Sequence, residues 1–310
     1  MIKKIILARS YGFCMGVKRA ITVAEDTARD ADGRVTILNE IVHNEAVVER
    51  FRDEGVGQVF CVDDVEDGTL IISAHGAAPA VIGQARGSGL TVVDATCPLV
   101  SRIYDIIKQV VANGYYIIHF GDPNHDETKG VVGHAPDRIV VLSDAGQLDS
   151  MPAWPDRKLA LTIQSTSNMD EAMEFQRLAR RKWPQLEVFD TICNATHQRQ
   201  SAIVDLAPNV DMIFVVGSRT SANSKRLASI AGALCGRGIL IGSAEEIDRE
   251  WFTADESVET IGISAGASTP DFLVREVIDK LVWLSGGSAE VVRQERRRGR
   301  AEARPTGDED

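Results

Sequence analysis

Short, almost unbroken apolar runs recur along this chain, each ended by a small or polar corner. They alternate with longer stretches in which apolar positions return every three or four residues. The runs KKIILAR, VTILNE, GQVFCVD, TLIISAHG, LTVVDA, YYIIHFG, RIVVLSD, KLALTIQS, LEVFD, DMIFVVGS, GILIGS and TIGISAG predict strands. The stretches VKRAITVAEDTARD, NEAVVERFRDEG, PLVSRIYDIIKQVVANG, SNMDEAMEFQRLARRK and SKRLASIAGALC predict helices with one buried face. Runs that are apolar on both faces, joined by connections long enough to hold a helix, predict parallel pairing under helical layers. The expected fold class is α/β with mainly parallel sheets.

Three cysteines fall where such a run ends and a small-residue turn begins. Cys14 follows KKIILARSYGF, Cys97 follows LTVVDAT, and Cys193 follows LEVFDTI. Their steps of 83 and 96 residues favour three related α/β units over a conventional two-domain doubly wound enzyme. Thiolates are soft ligands, so three that converge suit zinc, copper(I) or an iron–sulfur centre and not magnesium or calcium. Four cysteines would complete an ordinary electron-transfer cluster, whereas three leave one iron open to a substrate. Structural zinc, with a histidine as fourth ligand, competes with this reading, as does simple burial of each thiol. Cys61 and Cys235 lack the strand-to-turn context and read as core residues.

The charge balance narrows the partners. With 34 Lys and Arg against 45 Asp and Glu, the 310-residue chain has a formal charge of -11. That disfavours an extended nucleic-acid or anionic-membrane footprint but leaves room for a local anion pocket. Five sparse cysteines and an amino terminus without a secretory apolar stretch point to the cytoplasm. No apolar run is continuous enough for a membrane span. After Trp283 the sequence turns small and densely charged, which predicts a polar, mobile tail.

Loop residues then supply candidate chemistry. His43 in IVHNE, His75 in IISAHGAA and His125 in DPNHDETKG sit near element boundaries. There an imidazole can ligate metal, transfer a proton or donate to an anion, and three of them favour a multiply charged group. Glu127, two positions after His125 in an expected loop, becomes a proton donor near neutrality if water is excluded. Thr166, Ser221, Asn223 and Ser268 lie between strands and helices, where hydroxyls, amides and free backbone donors cradle phosphate or simply cap a helix. Neither a dinucleotide G-x-G-x-x-G motif nor a Walker sequence is present. His119, His134, His197, Asp126 and Lys129 read as structural or exposed residues.

These motifs, taken in order, resemble the 4-hydroxy-3-methylbut-2-enyl diphosphate reductase family, also called LytB or IspH. YGFCMGVKRA, VHNE, SAHG, DATCPLV, NHDETKG, TIQST, DTICNAT, GSRTSANSKRL and SAGASTPD carry the resemblance across nearly the whole folded portion. It implies three lobes in a pseudo-threefold arrangement around one [4Fe–4S] cluster. The expected lobes are residues 15–96, then 1–14 with 97–193, then 194–283, followed by a tail over 284–310. Cys14, Cys97 and Cys193 would hold the cluster, with one iron not ligated by cysteine. His43, His75, His125, Thr166, Ser221, Asn223 and Ser268 would bind the substrate, with Glu127, Thr166 and His125 catalytic. The implied reaction is two-electron reductive dehydroxylation of 4-hydroxy-3-methylbut-2-enyl diphosphate to isopentenyl and dimethylallyl diphosphate, the last step of the non-mevalonate precursor pathway. A ferredoxin or flavodoxin would supply the electrons.

Two departures stand out. Where the family commonly has Ser-Ser-Asn, this chain has Ser221-Ala222-Asn223; a lost hydrogen bond to a charged group costs roughly 1.5–3 kcal/mol unless it is replaced. The familiar His-Pro-Glu-Val-Glu-Gly run appears as His125 to Gly130, HDETKG, which keeps the acid but changes the charge around it. A reductase of another small anionic substrate and a non-enzymatic iron–sulfur sensor are the alternatives.

Overall fold

The computed structural model describes residues 2–253 and 258–295. The first of its three parallel sheets holds strands from the early part of the chain. After β1 (Lys4–Leu7) and α1 (Met15–Asp30) come β2 (Val35–Leu38), α2 (Glu45–Asp53), β3 (Gly57–Val59), β4 (Thr69–Ile72), α3 (Pro79–Gly87) and β5 (Thr91–Asp94). These strands pair in the order β3-β2-β4-β5. Next follow α4 (Pro98–Ala112), β6 (Tyr116–Phe120), α5 (Asp126–His134), β7 (Ile139–Leu142), β8 (Leu159–Ile163), α6 (Met169–Lys182) and β9 (Leu186–Val188), which form the second sheet, β7-β6-β8-β9.

The last stretch contains α7 (Asn194–Leu206), β10 (Met212–Val216), α8 (Ala222–Cys235), β11 (Gly238–Ile241), α9 (Glu250–Thr253), β12 (Thr260–Ala265), α10 (Asp271–Leu284) and β13 (Glu290–Arg293). Its sheet has the order β11-β10-β12-β1-β13. Numbered within each unit, all three sheets therefore share the order 2-1-3-4, and the fourth strand of the third is β1 from the start of the chain. This corrects the expected lobes: β1 pairs in register with β12, Leu7 opposite Ile263, and so joins residues 194–283, not 97–193. The expected tail is corrected as well, because Glu290–Arg293 pairs with β1 on its other side. The rest of that expectation, residues 296–310, lies outside the described residues.

All twelve expected strands are present, because central strands such as β8 and β10 are buried along their whole length and leave an uninterrupted apolar signature. Each helix that follows a fourth strand crosses to the next sheet. On α1, Val17, Ala20, Ile21 and Ala24 recur at helical spacing and pack with Ile37 and Ile71 of the first sheet. On α4, Ile103 and Ile107 pack with Ile117 and Ala160 of the second, and on α7, Ala202, Ile203 and Leu206 pack with Ile213 and Val215 of the third. Burial of each larger aliphatic side chain contributes about 1.5–3 kcal/mol, which fixes the angle at which these joints are held. Among the described residues no helix is long and apolar enough to cross a membrane.

Candidate active site and metal centre

The three joints carry the three cysteines. Cys14, Cys97 and Cys193 are the N-cap residues of α1, α4 and α7, and all three are half-buried free thiols. The Val17 amide donates to Cys14 Sγ at 3.4 Å, the Thr196 amide donates to Cys193 Sγ at 3.3 Å, and Thr196 Oγ1 lies 3.1 Å from Cys193 Sγ. Helix-start amides and the helix dipole favour a negative sulfur. Burial acts against them and pushes the Cys97 and Cys193 thiols up, and repulsion from the neighbouring cysteine sulfurs adds to the rise.

Close packing brings two of these sulfurs to the same glycine. A Cβ on Gly16 would lie 2.4 Å from Cys97 Sγ and 3.9 Å from Cys14 Sγ, so only glycine leaves room for the Cys97 sulfur against the first turn of α1. Three mutually repelling thiolates need a cation to compensate them, and a soft donor set of this kind fits an iron–sulfur cluster.

A second group of side chains stands beyond the carboxyl ends of strands one and three of each unit, on loops except for Asn223, which lies in the first turn of α8 and not before it as expected. The order 2-1-3-4 reverses between those strands, and ligand crevices in open α/β sheets form at such a switch point. The first unit contributes His43 and His75, the second His125 and Thr166, and the third Ser221, Asn223 and Ser268. The structure brings the histidines together. His43 stacks on His75 with ring centroids 4.0 Å apart, and His125 stands edge-on to both at 5.3 and 5.6 Å.

Their protonation follows from this crowding. Burial first and mutual repulsion second hold His75 well below the usual imidazole range and bring His125 down to about 4. His125 Nδ1 accepts from the Glu127 amide at 3.2 Å, so the neutral ring carries its proton on Nε2 as a donor. His43 Nδ1 is held by Glu40 Oε2 at 2.7 Å. Donor atoms of His43, His75 and Asp126 also lie within 4.8 Å of one another, a nitrogen and carboxylate set suited to a borderline cation such as zinc, whereas the thiolate trio suits iron–sulfur.

Glu127 is not in a loop, as expected, but in the first turn of α5. It is 2% exposed and accepts from the Ser165 amide at 2.7 Å and from Ser165 Oγ at 2.5 Å. Burial pushes its carboxyl up, against the pull of these two bonds, which prepares it to hold a proton. Ser165 also accepts from the Cys193 amide at 3.1 Å and from Thr196 Oγ1 at 2.9 Å. The acid and one cysteine corner are thereby tied to the same residue.

The remaining polar residues divide by what they leave free. Ser221 caps α8 by accepting from the Ser224 amide at 3.3 Å, and its own proton stays available. Asn223 is 4% exposed with both side-chain atoms unpartnered, a costly arrangement that points to a ligand. Thr166 Oγ1 accepts from Gln164 Nε2 at 3.1 Å. Ser268 differs: its hydroxyl donates to the His43 carbonyl at 2.8 Å and braces that loop.

Several residues near the site carry no distinguishing signal in the sequence. Ser165 and Gln164 stand beside Thr166 in TIQST, yet nothing in that run reveals the reach to Glu127. Exposed Lys225 bears on the His125 ring, and the Tyr104 hydroxyl donates to the His75 carbonyl at 3.1 Å. His119, read from the sequence as structural or exposed, lies fully buried near His125, bonded to Thr162 at 2.9 Å. Cys61, expected in the core, is exposed, whereas Cys235 is half-buried.

Three like-ordered parallel sheets, three cysteine-capped joints and a crowd of histidines beside a buried acid define a class of α/β proteins that gather free thiols and imidazoles at the carboxyl ends of their strands. The model of the LytB protein family matches residues 5–282, and the chain belongs to that family. It is 38% identical over 293 residues to the 4-hydroxy-3-methylbut-2-enyl diphosphate reductase of Tolumonas auensis, covering 93% of this chain and 94% of that one. It is 38% identical over 279 residues to the same enzyme of Symbiobacterium thermophilum, covering 87% and 94%. Among solved structures, the E-1-hydroxy-2-methyl-but-2-enyl-4-diphosphate reductase from Plasmodium falciparum superposes with a TM-score of 0.90 at 27% identity, covering 98% of this chain and 95% of that one. A second, the (E)-4-hydroxy-3-methyl-but-2-enyl diphosphate reductase described as the terminal enzyme of the non-mevalonate pathway, gives 0.65 at 33% identity over 91% and 99%.

Proposed function

We propose that this protein is a 4-hydroxy-3-methylbut-2-enyl diphosphate reductase, and that its three units surround one [4Fe–4S] cluster in a pseudo-threefold arrangement. The substrate takes up two electrons and two protons, its carbon–oxygen bond breaks, and isopentenyl or dimethylallyl diphosphate leaves together with water. The observation that carries this reading is the convergence, at equivalent corners of like-ordered sheets, of three half-buried thiols with a buried acid tied to one of them through Ser165. Cys14, Cys97 and Cys193 would hold the cluster, which when bound would supply one-electron transfer and Lewis acidity toward the hydroxyl end of the substrate.

The protein's own groups perform the rest. His125 donates through Nε2, and the diphosphate charge draws protons onto His75 and His125, which burial otherwise keeps from charging. Asn223 and Ser221 direct free donors to the same oxygens, and the unpaired amides at the start of α8 join them. Those amides replace part of what Ala222 lacks. Ser268 turns to the substrate only by releasing the His43 carbonyl, so it couples loop position to binding. Glu127 delivers the proton that makes hydroxide a water leaving group, and Thr166 keeps a free hydroxyl beside that path.

The cytoplasm and a ferredoxin or flavodoxin donor complete the proposal. The test is turnover of 4-hydroxy-3-methylbut-2-enyl diphosphate by the anaerobically reconstituted protein with a reduced viologen. Both five-carbon diphosphates are expected; their absence from a sample with full iron and sulfide content would contradict the proposal.

A further inference from the structure

One buried charge beside the cysteine corners has no part in the reaction above. Arg199 on α7 is 4% exposed. Its Nη1 donates to the Ala195 carbonyl at 2.9 Å, its Nη2 donates to the Gly12 carbonyl, and its Nε has no partner. Gly12 lies two residues before Cys14, and Ala195 two residues after Cys193. The guanidinium thus straddles two of the three cysteine corners.

Among the described residues, no carboxylate forms an ion pair with Arg199. Two neutral carbonyls take two of its five N–H donors but cancel none of its charge, and a buried unpaired cation is expensive. Burial pulls its pKa down, and the anionic groups that push it back up are the sulfurs of Cys14 and Cys193. The nearby cations Lys18 and Arg19 are exposed; Arg19 turns to the Thr96 carbonyl at 3.1 Å and sits in water, where its field is screened. Arg199 is the one placed where a charge acts at close range in a poorly polarisable setting.

We propose that Arg199 is a positioning residue of the metal centre: its fixed positive charge, held between the Gly12 and Ala195 carbonyls, offsets the negative charge of the thiolate-held cluster and raises its reduction potential. Reduction adds an electron, so a nearby buried cation stabilises the reduced state more than the oxidised one. The inference rests on the reading that Cys14, Cys97 and Cys193 hold an iron–sulfur cluster.

The test compares Arg199→Lys, which keeps the charge and loses the fork, with Arg199→Gln, which keeps polarity and loses the charge. Iron and sulfide are measured in each reconstituted protein, and the midpoint is read by optical and electron-paramagnetic redox titration. Arg199→Gln is expected to lower the reduced-to-oxidised ratio at a fixed applied potential about tenfold, a shift of about 59 mV for one electron, with Arg199→Lys much nearer the wild type. Loading of the Lys variant but not the Gln variant would support the assignment equally. An unchanged midpoint in loaded Arg199→Gln, equal shifts in both variants, or failure of both to load would overturn the assignment, since Lys retains the charge. A wild-type protein that takes up no cluster would instead sink the underlying functional reading, and this inference with it.

Discussion

Replacing Gly16 by alanine puts one methyl group where the structure has none to spare. The new Cβ would stand 2.4 Å from Cys97 Sγ and 3.3 Å from Cys97 Cβ. Ordinary contact requires that the sulfur or the first turn of α1 move by at least about 1 Å. Ligand distances in a sound metal site hold to within about 0.2 Å, so the shift is several times too large for the centre. Fold stability should change far less. Overpacking of about 1–3 kcal/mol falls on a half-exposed corner and is partly offset by alanine's better helix propensity, about 1 kcal/mol. Iron and sulfide per chain after anaerobic reconstitution should drop several-fold, while urea unfolding of the metal-free protein stays within about 2 kcal/mol of wild type. Gly83→Ala is the control, because a Cβ there meets nothing within 4 Å. Full cluster content in Gly16→Ala would refute the convergence of Cys14 and Cys97 on one centre.

Other predictions concern the acid, the histidines and the departure at Ala222. Glu127→Gln should lower kcat by about 10²–10⁴-fold with cluster content unchanged, and steady-state turnover with a viologen donor reads it. Ser165→Ala removes a hydroxyl bond that favours the charged carboxylate, so the alkaline limb of the pH–rate profile should move to higher pH; a shift to lower pH would show that Glu127 does not act as the acid. His75 and His125 sit below the ordinary value of about 6.5, so the unfolded chain binds more protons. Stability of the metal-free protein should therefore fall as pH drops from about 6.5 toward about 4, and His125→Gln should flatten that slope in urea titrations at pH values spanning the window. Ala222→Ser should lower KM about five-fold by adding a donor worth about 1 kcal/mol; an unchanged KM would mean that the α8 amides already replace it.

Most strands are legible because buried parallel strands leave nothing but apolar residues in a row. What they pair with is not: KIIL reads the same whether β1 closes the second sheet or the third, and only the register of Leu7 against Ile263 decides. Strand β13 is hidden because EVVR is largely exposed at the sheet edge and carries charge at both ends. Helix α5 is hidden because Gly130 and Gly133 weaken its local signal, and both are required by packing. A Cβ at Gly130 would meet the Tyr104 hydroxyl at 2.2 Å, and one at Gly133 would meet Ala78 at the same distance. The cysteines and histidines are legible because each lies next to a strand end. Ser165 and Arg199 act through contacts between residues far apart in the sequence that no local pattern encodes, and Cys61 shows that a cysteine after a strand need not be buried.

The central claim is that three cysteines hold a four-iron cluster and leave one iron for the substrate. Mössbauer spectra of protein reconstituted with iron-57, recorded before and after addition of 4-hydroxy-3-methylbut-2-enyl diphosphate, test it most directly. The prediction is one iron distinct from the other three, whose signal alone changes when the substrate is added. Four equivalent irons untouched by the substrate, or no cluster at all, would contradict it.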